Sequence, residues 1–120
     1  MIVSHQYRYI FLGLPKTAST SLAIALSKYC GPDDIISKVS RKDEEVRRTL
    51  GYRGPQNELR PWHGYPLRDL LYSLLRRGRR PQYKHPRAVA VRRYLGEAIW
   101  DSYYKFCIER NPFDRAISLY

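Results

Sequence analysis

A chain of 120 residues with 43% hydrophobic and 28% charged side chains is one domain at most, and it is too apolar to remain disordered. Lysine and arginine number 22 against 11 acids, a surplus of +11 with a pI near 10.0, so the expected partners are polyanions: nucleic acid, an anionic membrane surface, a sulfated or phosphorylated glycan, or a nucleotide. Cys30 and Cys107 match neither a metal spacing nor a disulfide framework, and no apolar run approaches the roughly 20 residues of a membrane span; both cysteines are expected to be reduced and partly buried, and the chain to be soluble and cytoplasmic with no transmembrane segment.

Aromatic and β-branched residues over 7–13 predict a buried strand that breaks at Gly13 and Pro15. Leu22, Ala25, Leu26 and Tyr29 then recur at helical spacing, which predicts a helix over 20–29. A strand that turns abruptly into a helix aims the free N–H groups of the first helical turn, and the positive end of the dipole, at whatever sits above the loop. Lys16 adds a full positive charge there. Thr17, Ser19, Thr20 and Ser21 add hydroxyls that donate to phosphate or sulfate oxygens or cap the helix. The stretch therefore reads as a phosphate cradle, the simpler alternative being a capped helix after a strand. A Walker A loop is excluded, because no glycine stands between Gly13 and the helix and Pro15 precedes Lys16. That weakens a P-loop nucleotide kinase, which also lacks an evident acid for Mg²⁺.

Gly31, Pro32, Asp33 and Asp34 end the first helix, and residues 35–50 carry a short apolar piece followed by a charged helix from about Asp43. Residues 51–66 read as an irregular loop rich in glycine and proline. Leu67, Leu70, Leu71, Leu74 and Leu75 predict an amphipathic helix opened by Pro66. It stops at the basic run from Arg76 to Arg80, which either grips a polyanion or is a solvated helix end complementing the dipole. Further helices are predicted over 86–95, ended by Gly96, and over 97–102.

Residues 103–109 predict a second strand, and Arg110 follows at its carboxyl end. Asn111 is a good N-cap, Pro112 fits the first helical position, and Asp114 sits where an acid favours the dipole. In open α/β sheets ligands bind outside the carboxyl ends of the strands, so the Lys16 loop and Arg110 can hold two phosphate groups of one nucleotide. Ser118 lies about two turns beyond Asn111 at 3.6 residues per turn and shares its helix face. The plainer role for Arg110 is an ion pair with Asp114.

Pro15-Lys16-Thr17-Ala18-Ser19-Thr20-Ser21-Leu22 resembles the 5′-phosphosulfate loop of sulfotransferases, with Ala18 in place of a common glycine. Arg110-Asn111-Pro112-Phe113-Asp114-Arg115, continued through Ser118 and Tyr120, closely resembles the 3′-phosphate segment of the group that includes Golgi carbohydrate sulfotransferases. His85, Leu95, Gly96 and Trp100 resemble the pattern that connects the two motifs. The resemblance implies a P-loop-like α/β fold around a parallel sheet flanked by helices. It also implies transfer of a sulfuryl group from 3′-phosphoadenosine 5′-phosphosulfate to a hydroxyl acceptor, a carbohydrate with an anionic glycan among the candidates, without a metal. Lys16, Thr17, Ala18, Ser19, Thr20 and Ser21 would bind the 5′-phosphosulfate, and Arg110 and Ser118 the 3′-phosphate, with Arg115 a weaker candidate.

Lys16 would also neutralise the leaving oxygen. Of His5, His63 and His85, the resemblance favours His85 as the base that takes the acceptor's proton, with His63 in reserve; the plainer role for His85 is to cap the following helix. Family domains continue beyond the 3′-phosphate helix, so residues 1–120 are expected to be the N-terminal part of one sulfotransferase domain. Its incomplete sheet would leave apolar edges open, and independent catalysis is not expected. A basic nucleic-acid-binding module is the competing class; it explains the charge, the arginine run and the many tyrosines, but neither ordered motif.

Overall fold

The computed structural model of the chain describes residues 1–58 and 87–118. Strands β1 (Ile2–Ser4), β2 (Tyr9–Phe11), β3 (Ile35–Ile36) and β4 (Tyr104–Phe106) form one four-stranded sheet in the order β3-β1-β2-β4. Helices α1 (Ser19–Ser27), α2 (Arg41–Thr49), α3 (Ala88–Leu95), α4 (Glu97–Ser102) and α5 (Pro112–Ile117) accompany it. The class is α/β, as expected, but the sheet is mixed rather than parallel. β2 and β4 pair in parallel, whereas β1 is antiparallel to both β2 and β3. It follows that β2, β3 and β4 all run in one direction and only β1 is reversed.

Alternation along the strands sends side chains to two faces. Ile2, Phe11 and Ile36 point to one face and pack with Ala23 of α1 and Cys30, with Phe106 against them. Val3, Ile10 and Ile35 point to the other, where Val91 of α3 and Trp100 of α4 cover them. Ile2, Val3, Ile10, Phe11 and Ile36 are wholly buried, each worth about 1.5–3 kcal/mol of transfer free energy. The rings of Phe11 and Phe106 lie 5.3 Å apart across the parallel pair.

Local chemistry sets most element ends. The Ser40 hydroxyl accepts from the Asp43 N–H at 3.3 Å, so α2 starts earlier than the charge pattern alone suggests. Asn111 Oδ1 accepts from the Phe113 N–H at 3.0 Å with Pro112 in the first turn of α5, as its sequence predicts. The strand expected over 103–109 stops at Phe106, and Cys107 leaves the sheet exposed rather than partly buried. The helix expected after Pro66, the basic run at 76–80, His63 and His85 lie outside the described residues. No helix among the described residues is long and apolar enough to cross a membrane.

Both cysteines are free, in contrasting settings. Burial, aided by the Asp34 carboxylate, pushes the Cys30 thiol up to about 11. A disulfide-exchange reagent at pH 8 should therefore label Cys107 promptly and Cys30 only on unfolding, since the thiolate is the nucleophile. Rapid labelling of both thiols in the native protein would contradict this packing.

Candidate anion site at the carboxyl ends of β2 and β4

Two sequence-predicted features meet at one edge of the sheet. The β2–β4 register aligns Tyr9 with Tyr104, Ile10 with Lys105 and Phe11 with Phe106, and the Leu12 N–H donates to the Phe106 carbonyl at 2.9 Å. Lys16, five residues beyond Phe11, and Arg110, four beyond Phe106, therefore belong to neighbouring loops on the same edge. A parallel pair with a helix following each strand places both helix starts there, which an antiparallel pair could not do.

The loop before α1 is tightly folded. Lys16 has φ 62° and Ala18 φ 56°, two left-handed residues that flank Thr17. Thr17 and Ser19 are buried, and both hydroxyls donate to the Leu14 carbonyl, at 3.0 and 2.7 Å. In this arrangement they lock the loop, and neither hydroxyl proton is left to donate to an anion. Among the described residues no side chain caps the start of α1, and its first turn carries no acid. Its leading amides are thus left for an outside acceptor. Thr20 is half-buried and Ser21 exposed, and neither hydroxyl has a partner among the described residues. Lys16 is exposed and likewise unpaired. The donors that remain are Lys16, Thr20, Ser21 and the leading amides of α1, all within the loop and first turn at the positive end of the helix dipole. Such a set suits a phosphate or sulfate group and repels a cation.

Arg110 is exposed and makes no ion pair with Asp114 among the described residues, so the plainer role open to it in the sequence is not taken up. Ser118 sits just beyond α5 as its C-cap, half-buried, its N–H donating to the Asp114 carbonyl at 3.1 Å. Arg115, in the last turn of α5, is also half-buried. His5 is placed elsewhere. It follows Ser4, whose partner is Tyr9 at the start of β2, so it stands at the end of the sheet opposite the cradle. There its Nδ1 meets the Tyr103 hydroxyl at 2.8 Å. Among the described residues no group of three or more His, Cys, Asp or Glu gathers as a metal would need.

The Leu14 carbonyl is the component that sequence reasoning missed. It is a backbone group, and the only hint of it is the crowding of hydroxyl residues three and five positions later. The left-handed turn at Ala18 also gives a physical reason why glycine suits this position: a Cβ there costs about 1–2 kcal/mol, which glycine avoids at some cost in chain entropy. Ala18→Gly should accordingly raise stability by roughly 0.5–1 kcal/mol in urea unfolding. A loss of stability would show that Ala18 is not strained.

Compared with protein-family models, with curated proteins and with solved structures, the chain matches none.

Proposed function

We propose that the chain is the nucleotide-gripping part of a P-loop-like sulfotransferase that uses 3′-phosphoadenosine 5′-phosphosulfate and a hydroxyl acceptor, a carbohydrate in our reading. The observation that supports the proposal is the parallel β2–β4 register, which brings the start of α1 and the loop carrying Arg110 out at the same end of the sheet, with Lys16 and Arg110 both unpaired among the described residues. Two anion sites on adjacent loops suit a nucleotide that bears phosphate at both 5′ and 3′ positions.

The donor would supply an activated sulfuryl group. Lys16, Thr20, Ser21 and the leading amides of α1 hold its 5′ end, and Thr17 and Ser19 keep the loop before that helix in place through Leu14. Arg110 takes the 3′-phosphate in a paired, charge-assisted contact, joined by Ser118. As the bond between sulfur and the phosphate oxygen breaks and the bond to the acceptor oxygen forms, Lys16 offsets charge on the departing oxygen. A base must take the acceptor's proton, and His85 is our assignment. The proposed setting is the cytoplasm, in keeping with two free cysteines.

Calorimetry with 3′-phosphoadenosine 5′-phosphate and with AMP tests the reading. The bisphosphate should bind roughly 10- to 100-fold more tightly, the value of one charge-assisted contact, and Arg110→Ala should erase the difference. Equal affinity for the two nucleotides in the unaltered chain would remove the 3′-phosphate assignment. Weak nucleotide binding beside tight, steeply salt-dependent binding to RNA or DNA would favour the nucleic-acid class instead.

A further inference from the structure

A groove of about 630 Å³ lies between α2 and the turn at residues 51–55, within the size range of small-molecule sites. Arg41, Glu44, Glu45 and Arg48 recur at helical spacing along its α2 side, and Lys38 and Tyr52 complete its side-chain wall. The acids on and beside it each have a partner. Glu44 binds the Arg47 guanidinium at 3.0 and 3.1 Å and accepts from the Val39 N–H at 2.8 Å, and Arg47 is wholly buried. Asp43 accepts from the Ser40 hydroxyl, Glu58 accepts from the Lys38 N–H at 2.7 Å, and Glu45 lies 3.6 Å from Arg48.

The cations are less engaged. The side chains of Lys38 and Arg41 are exposed and have no partner among the described residues. Arg48 has only its long contact with Glu45, and a pair with both side chains largely in water is weak. The wall therefore carries two uncommitted positive charges and a third lightly held, while its two carboxylates are already neutralised by arginines. A sulfate ester or a carboxylate would meet that surplus with one negative charge, whereas a phosphate monoester brings close to two at neutral pH. An inorganic phosphate ion alone would leave most of the groove unfilled, so the phosphate belongs to a larger molecule.

We propose that this groove is a second anion site, separate from the Lys16 cradle, which takes a small organic phosphate monoester. The Arg41 guanidinium offers a paired contact to two phosphate oxygens, and Lys38 adds a compact charge beside it. Tyr52 gives the organic part of the ligand one ring to pack on. The site stands whether or not the chain transfers a sulfuryl group, because none of its residues belongs to the cradle.

Amide-resolved nuclear magnetic resonance of the full chain tests the site, since Gly51 and Gly54 line the groove and report on it directly. At neutral pH, phenyl phosphate should move both glycine amide signals, phenyl sulfate should bind about three- to fivefold more weakly, and benzyl alcohol should move neither signal. Lys38→Gln with Arg41→Gln should weaken phenyl phosphate about tenfold while the signals of the sheet stay in place. Arg87→Gln with Arg93→Gln, an equal loss of exposed charge elsewhere, should leave its affinity within about twofold. Lys16→Ala with Arg110→Ala should leave the Gly51 and Gly54 response unchanged, which separates this groove from the cradle. The proposal is overturned by glycine amides that phenyl phosphate does not move, by phenyl sulfate that binds as tightly, or by a Lys38 and Arg41 variant of normal affinity. It is equally overturned by an Arg87 and Arg93 variant that loses as much, or by a response that disappears with Lys16 and Arg110.

Discussion

Replacing Lys16 with alanine in the catalytically competent protein is expected to lower kcat by roughly 10²- to 10³-fold while the affinity for the sulfuryl donor falls much less. The expectation follows from where and when charge appears. In the proposed complex the donor's charge before reaction is spread over phosphate and sulfate oxygens that the amides of the turn, Thr20 and Ser21 would already meet. Negative charge concentrates on the departing oxygen only as the bond to sulfur breaks, so a cation aimed there acts mainly on the transition state. Lys16 suits that task because it is exposed, unpaired among the described residues and held at φ 62° in a loop locked by two hydroxyl contacts to Leu14. Lys16→Arg should recover part of the rate by restoring charge without the same reach. Separate measurement of kcat and donor KM decides the matter. A variant with normal kcat and weakened donor binding would make Lys16 a binding residue only.

How far this site is legible in the sequence depends on the range of the interactions that build it. Elements set by local chemistry are plain. Asn111 and Pro112 mark the start of α5, and α4 occupies the span its pattern predicts. The strand, loop and helix around Lys16 are equally readable, since apolar run, glycine, proline and hydroxyls follow one another within a few residues. Elements set by long-range pairing are not. The hairpin of β1 and β2 escapes notice because its turn contains no glycine, asparagine or proline, and Arg8 takes the left-handed position at φ 54°. With β1 unseen, a wholly parallel sheet is the natural expectation. The two residues of β3 carry too little periodicity to be recognised, and only pairing with β1 defines them. Local sequence likewise cannot say whether the Thr17 and Ser19 hydroxyls face an anion or their own loop. That choice is made by the position of the Leu14 carbonyl.

Asp34 is the residue whose weight the sequence conceals most, since it reads there only as part of a helix-ending turn. In the fold it is 1% exposed and its carboxylate accepts from the Gly31 N–H at 2.8 Å, the His5 N–H at 2.6 Å and the Ser4 hydroxyl at 3.1 Å. It thereby ties the turn of the first hairpin to the loop that leaves α1. Asp34→Ala would leave the buried Ser4 hydroxyl and the part-buried Gly31 and His5 N–H groups without their acceptor, at about 1–3 kcal/mol for each group that water does not reach, so a total loss of about 3 kcal/mol is expected. That is a large part of the stability of an ordinary domain, about 5–15 kcal/mol. Asp34→Asn should fare little better, because its amide nitrogen would turn a donor toward Gly31 N–H or His5 N–H, where an acceptor is needed. Urea unfolding gives the number, as a lower midpoint at unchanged m-value. The functional consequence should be narrow. Asp34 sits at the opposite end of the sheet from Lys16 and Arg110, so at temperatures where the variant remains folded it should bind 3′-phosphoadenosine 5′-phosphate as tightly as the parent. A loss below 1 kcal/mol would mean that water replaces the carboxylate and that the interior at Asp34 is not closed; lost nucleotide affinity in a folded variant would mean that the two ends of the sheet are coupled.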